Sequence, residues 1–254
     1  MSDEFTGKTA LVTGASRGIG AATALALARR GVARVLVHYN RSQEGAEGVL
    51  AAVRAAGAES ELLNADLSTL TGIESLAASL RAPHRAVDLL INNAGSLVRR
   101  ASLAEYTESL FDEVMNLNVK SAYFLAQAVA PQMAERGGGV IVNLSSIAAR
   151  NGGGQGATVY AAAKGAIVTM TKGLARELAP LGIRVNAVSP GTVDNDFHAR
   201  FSTRTILENV AKATPAGRLA SNEDIADTIV FLCSDAARYI HGQTIEVNGG
   251  MLAP

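Results

Sequence analysis

The chain is poor in whatever would bind a polyanion, a metal or a membrane. Its 23 Lys and Arg are matched by 23 Asp and Glu. The two signs are interspersed, so there is no basic excess to build a nucleic-acid surface. The single cysteine, Cys233, excludes an internal disulfide, and its place after Ile229-Val230-Phe231-Leu232 reads as a buried structural thiol. His38, His84, His198 and His241 are scattered without metal-ligand spacing, so no metal site is expected. No apolar run is long enough to span a bilayer. The acidic start Met1-Ser2-Asp3-Glu4 lacks the apolar stretch of a secretory signal. The expected setting is the reducing cytoplasm, with neither membrane nor nucleic acid as partner.

What the chain does have is apolar substance: 48% of its 254 residues are hydrophobic, enough for a large core. Short apolar runs alternate with Ala-rich helical patterns. Strands are predicted at 9–12, 34–38, 61–64, 87–91, 140–144 and 184–188, with helices at 42–56, 68–82, 107–134, 158–179 and 222–234. That alternation predicts a doubly wound α/β fold, a parallel sheet with helices on both faces. No linker or composition break divides the chain, so 1–254 is read as one domain. The least regular stretch, 191–216, carries Asp194, Asn195, Asp196, His198, Arg200 and Arg204 and follows the sixth strand. Ligands of open α/β sheets bind at the carboxyl ends of strands, so this segment is expected to be a substrate lid.

The most informative run is Thr13-Gly14-Ala15-Ser16-Arg17-Gly18-Ile19-Gly20, placed between the first strand and the helical pattern Ala21–Ala28. Glycines let the backbone turn tightly and approach a pyrophosphate. The helix N-terminus then offers unpaired N–H groups and partial positive charge. The spacing G-x-x-x-G-x-G differs from the common G-x-G-x-x-G.

Further along stand Asn92-Asn93-Ala94-Gly95, Asn118, Ser145-Ser146 and Tyr160-Ala161-Ala162-Ala163-Lys164. Tyr160 and Lys164 are spaced to share one helix face. A phenol titrates near 10, too high for a base at neutral pH. A cation about 4 Å away contributes roughly 4 kcal/mol at an effective dielectric of about 20, or near three pKa units. Lys164 is therefore expected to bring the Tyr160 hydroxyl into a useful range.

Together these motifs resemble the short-chain dehydrogenase/reductase family, and within it the 3-oxoacyl-carrier-protein reductase group. The resemblance runs from the first strand to Val247-Asn248-Gly249-Gly250. It implies a seven-stranded, mainly parallel Rossmann-type sheet in the order 3-2-1-4-5-6-7, the last strand near Gln243–Val247. It implies transfer of a hydride between a nicotinamide cofactor and a ketone or secondary alcohol, with Tyr160, Lys164, Ser146 and Asn118 as catalytic residues. Ser146 lies one residue farther from Tyr160 than is usual in the family, which leaves Ser145 as the alternative. For the cofactor, the resemblance assigns Asp66-Leu67 to the adenine, Asn93-Ala94-Gly95 to its ribose and Pro190-Gly191-Thr192-Val193 to the nicotinamide. Asn195 stands where the family usually places a Thr for the carboxamide, with Thr192 as the alternative.

The second strand leads into Asn40-Arg41-Ser42 with no acid to take both ribose hydroxyls. Arg41 and Arg17 are suited instead to a 2′-phosphate, so NADP(H) is expected over NAD(H). The family's carrier-docking arginines fall at Gly137 and Leu181, with Arg136 adjacent as a substitute. An acyl carrier protein is thus one possible partner, and a small polyol or sugar is an alternative substrate. A cofactor-binding member without catalysis remains a third reading. The family also implies a homotetramer, built through 107–134, 158–179 and the C-terminal strand region.

Overall fold

The computed structural model describes residues 3–252. Seven strands form one parallel sheet in the order β3-β2-β1-β4-β5-β6-β7. They are β1 (Thr9–Val12), β2 (Arg34–Tyr39), β3 (Glu59–Asn64), β4 (Leu89–Asn92), β5 (Gly139–Leu144), β6 (Ile183–Pro190) and β7 (Thr244–Val247). Every neighbouring pair is parallel. Successive residues of a strand face opposite sides, so β1 sends Ala10 and Val12 into one core and Leu11 into the other. One layer holds α1 (Gly18–Arg29), α2 (Gln43–Ala55) and α10 (Asn222–Cys233). The other holds α3 (Leu70–Ser79), α5 (Ser121–Glu135) and α7 (Thr158–Leu178). Cys233 is buried, as its apolar run predicts. No described helix is long and apolar enough to cross a membrane.

Two expectations need correction. The helix read as continuous over 107–134 is broken into α4 (Glu108–Met115), a π-turn at Asn116–Lys120, and α5. The cause is one side chain: Asn118 Nδ2 donates to Val114 O at 2.8 Å, entering the backbone ladder, and to Ser96 O at 2.7 Å in the loop after β4. The stretch 191–216, read as irregular, contains α8 (Asp196–Phe201) and α9 (Arg204–Ala213). Each is started by a side-chain cap, Asn195 and Thr203 respectively. A helix of two turns leaves too little periodicity to be read from the sequence.

Candidate active site

Parallel strands all end on one edge of the sheet. The loops leaving β1 to β6 there enclose a cleft of about 1000 Å³. Gly14, Asn40, Asp66, Asn93, Ser145 and Gly191 come to it from six successive strand ends.

At the end formed by the loops after β1 to β3, where the adenosine is expected, the glycine run turns because Gly14 and Gly18 have φ of 61° and 59°. Gly20 has the tighter requirement. A Cβ there would lie 2.5 Å from Gly14 O and 2.6 Å from Asn93 Nδ2. Arg17 precedes α1 without capping it through its side chain, and the first turn holds no acid. The N-terminal N–H groups of α1 therefore face the cleft, as a pyrophosphate requires. Ser16 and Ile19 line the same wall. Asn93 serves the loop itself: its Nδ2 donates to Thr13 O at 2.7 Å and Gly14 O at 3.1 Å. Asp66 is locked by Ser68, whose N and Oγ donate to Oδ1 at 3.0 and 2.7 Å. Burial would raise its pKa, but the Ser68 and Asn40 hydrogen bonds and the Arg41 charge hold it below the usual carboxylate value. Arg41, Ser42 and Leu67 complete this end, and no acid stands at the end of β2. The glycine cradle, the open helix terminus and the basic side chains fit a dinucleotide.

His38 went unsingled among four scattered histidines, yet it is 2% exposed inside this wall. Burial pulls its ring down to about 4, so it is neutral. Nε2 faces Ala65 O at 3.1 Å and carries the proton, while Nδ1 accepts from Gly14 N–H at 3.0 Å. One ring thus joins the loops after β1 and β3. Its place at the end of an apolar strand was the available signal.

At the other end, α7 carries Tyr160 and Lys164. Lys164 is 3% exposed, and its Nζ donates to Leu144 O at 2.8 Å. The same Nζ lies 5.6 Å from the centre of the Tyr160 ring. Ser145 Oγ is spent on Lys164 O at 3.0 Å. Ser146 Oγ instead accepts from Ala148 N at 3.1 Å and lines the same cleft as Tyr160. Asn118 and Lys164 meet at Gly95, where a Cβ would lie 2.7 Å from Asn118 Oδ1 and 2.9 Å from Lys164 Nζ. Asn118 Oδ1 is buried without a hydrogen-bond partner among the described residues.

The lowered phenol pKa expected from the sequence is not what this site provides. Burial pushes Tyr160 up to about 12, with the nearby Ser146 hydroxyl opposing, and pulls Lys164 down to about 8. Desolvation dominates at the phenol, and the ammonium is turned to the Leu144 carbonyl.

Pro190, Gly191, Thr192 and Val193 line the cleft beside this group. Asn195 is already engaged at both ends of its amide. Its Oδ1 caps α8 through Phe197 N at 3.1 Å, and its Nδ2 donates to Asn222 Oδ1 at 2.9 Å. Phe197, which the motifs did not single out, places its ring 6.0 Å from that of Tyr160. Phe201, Ile206, Leu207 and Val210 extend an apolar wall behind it. Arg136, read as a substitute docking arginine, is bound by Asp88 Oδ1 at 3.1 Å and Val87 O at 2.6 Å. Among the described residues no three His, Cys, Asp or Glu gather as a metal site.

A family model described as enoyl-(acyl carrier protein) reductase matches residues 14–252. The 3-oxoacyl-[acyl-carrier-protein] reductase FabG of Staphylococcus aureus is 40% identical over 244 residues, 96% of this chain and 98% of the relative. A structure from Beutenbergia cavernae, described as an NAD(P)-dependent gluconate 5-dehydrogenase with NADP at low occupancy, superposes with a TM-score of 0.91. It is 38% identical and covers 99% of each chain. A blue fluorescent protein from a metagenomic library, in complex with NADPH, gives a TM-score of 0.89 at 31% identity over 98% of this chain and 100% of its own.

Proposed function

Because this chain belongs to the short-chain dehydrogenase/reductase family and is an NAD(P)-dependent oxidoreductase acting on CH–OH groups, we propose that it interconverts a 3-oxoacyl thioester and its hydroxy form with NADP(H). What supports this is one cleft lined by Ser146, Tyr160 and Lys164 together with the apolar wall of Phe197, Phe201, Ile206, Leu207 and Val210. The bound cofactor supplies or accepts a hydride at its nicotinamide ring. Ser146 holds the substrate oxygen by its hydroxyl. In reduction Tyr160 gives its phenolic proton to that oxygen, and in oxidation the phenolate takes it back. Lys164 returns the proton to Tyr160, and Asn118 Oδ1 is the acceptor that links Lys164 onward. With both ends of the Asn195 amide engaged, Thr192 takes the nicotinamide carboxamide. Residues 191–216 act as the lid, and Phe197 is its contact with Tyr160.

A specific observation favours a second reading, a small polyol or sugar. The expected docking positions are Gly137 and Leu181, and Arg136 is held by Asp88, so the arginines that would receive an acidic carrier are missing from this surface. A panel that includes acetoacetyl-CoA, its carrier-protein thioester and 5-ketogluconate decides, followed by NADPH absorbance. We expect acetoacetyl-CoA to be reduced, with no gain from the carrier thioester. Turnover of 5-ketogluconate alone would overturn the thioester reading.

We also propose a homotetramer. Phe111, Tyr123 and Phe124 of α4 and α5 are 47%, 42% and 39% exposed, an apolar face that a second subunit would cover. Sedimentation at micromolar concentration should give a species about four times the 26.2 kDa chain mass. A single species at the chain mass would exclude it.

A further inference from the structure

Val98 is the one non-glycine residue with positive φ among the described residues, at 62°. A β-branched side chain is poorly suited to that conformation, and such strain is kept only where surroundings impose it. Here the surroundings are identifiable. Arg99 N donates to Leu97 O at 2.7 Å, closing a γ-turn on Val98, and Val98 N donates to Ser96 Oγ at 2.9 Å. The Val98 side chain packs on the small cluster of Ala101, Leu110, Val114 and Ala163, which also holds Tyr160.

The turn joins two parts of the cleft. On its near side Ser96 O accepts from Asn118 Nδ2 at 2.7 Å. On its far side Arg100 spans two segments: Nε donates to Phe201 O at 3.0 Å and Nη1 to Gln155 O at 2.7 Å. Arg200 returns the contact, with Nη2 3.4 Å from Val98 O and its guanidinium 5.0 Å over the Phe201 ring.

Phe201 O is the last carbonyl of α8, one of the groups a helix cannot satisfy itself, and a cation there also suits the helix dipole. A six-residue helix has no stability of its own. It is held by Asn195 at its start, Phe197 on Tyr160 in its first turn and Arg100 at its end. We propose that Arg100, set by the strained Val98 turn, is the positioning residue that clasps α8 over Tyr160 and so determines how tightly substrate is enclosed. This rests on the reading of 191–216 as the lid.

The test compares wild type with Arg100→Ala and Arg100→Lys by amide exchange over 196–201 and by steady-state kinetics with NADPH and acetoacetyl-CoA. Losing the charge-assisted bond to Phe201 O should speed exchange in α8 about tenfold or more in Arg100→Ala. The KM for acetoacetyl-CoA should rise about tenfold, while NADPH affinity stays within about twofold because the contacts lie away from the adenosine end. Lysine can hold one carbonyl but not both, so Arg100→Lys should fall between. Unchanged exchange in α8 of Arg100→Ala overturns the clasp. So does faster exchange with an unmoved KM, which would make Arg100 a structural tie only. The lid reading fails separately, if wild-type exchange over 196–213 ignores saturating NADP+ and acetoacetyl-CoA together.

Discussion

Tyr160→Phe should lower kcat by about a thousandfold or more, in the range expected for loss of a positioned proton donor. The substitution removes one oxygen and leaves the ring. The packing of that ring against Phe197 and the cluster around Ala163 is therefore retained, and thermal stability should hold. NADPH affinity, read by fluorescence titration, should stay within about threefold, because the phosphate cradle is built by other residues. Wild-type pH profiles supply a second readout. With Tyr160 pushed up to about 12, the phenol is protonated through the neutral range, so reduction has its acid throughout. Alcohol oxidation needs the phenolate, and its rate should climb with pH across the same range. The climb should slacken near pH 8, where Lys164 gives up its charge. Retention of more than about a tenth of wild-type turnover in the Phe variant would remove Tyr160 from the proposed role.

Arg41→Asp should move the ratio of kcat/KM for NADP(H) over NAD(H) by about a hundredfold towards NAD(H). A charge-assisted phosphate contact is worth about 1.5–3 kcal/mol, and the new carboxylate repels the phosphate in addition. Arg41 is exposed at the adenosine end and acts on Asp66 through its charge. Replacing it with an acid sets two carboxylates near each other, so efficiency with NAD(H) should improve less than efficiency with NADP(H) falls. The ratio is therefore the measure. Screening makes the effect larger at low salt. Arg17, whose Nη1 lies 3.7 Å from Asp196 Oδ2, remains to hold part of the phosphate contact. A ratio unchanged by the substitution would show that Arg41 does not discriminate.

How far the sequence could be read varied with the kind of signal. Buried parallel strands are apolar on both faces, so β1, β2 and β5 stood out as runs. Their order and the seventh strand needed the family resemblance, since β7 is partly exposed along its length and carries no such run. The Gly14–Gly20 turn was legible because only glycine meets its φ values and close approaches. α8 was not, because two turns leave too little periodicity and its ends are tied by Arg100 and, through Asn195, by Asn222, which lie far away in sequence.

The sequence by itself determined the α/β architecture, the phosphate-binding corner and the placing of Tyr160 and Lys164 on one helix. Local periodicity and glycine spacing are enough for these. Tertiary structure decided where the Ser145 hydroxyl and the Asn195 amide are spent and how the Val98 turn meets α8. It also buried the Tyr160 hydroxyl, which pushes its pKa up. Each of these depends on where a polar group finds its partner and how much water is left around it, and both are set by segments that meet only when the chain folds.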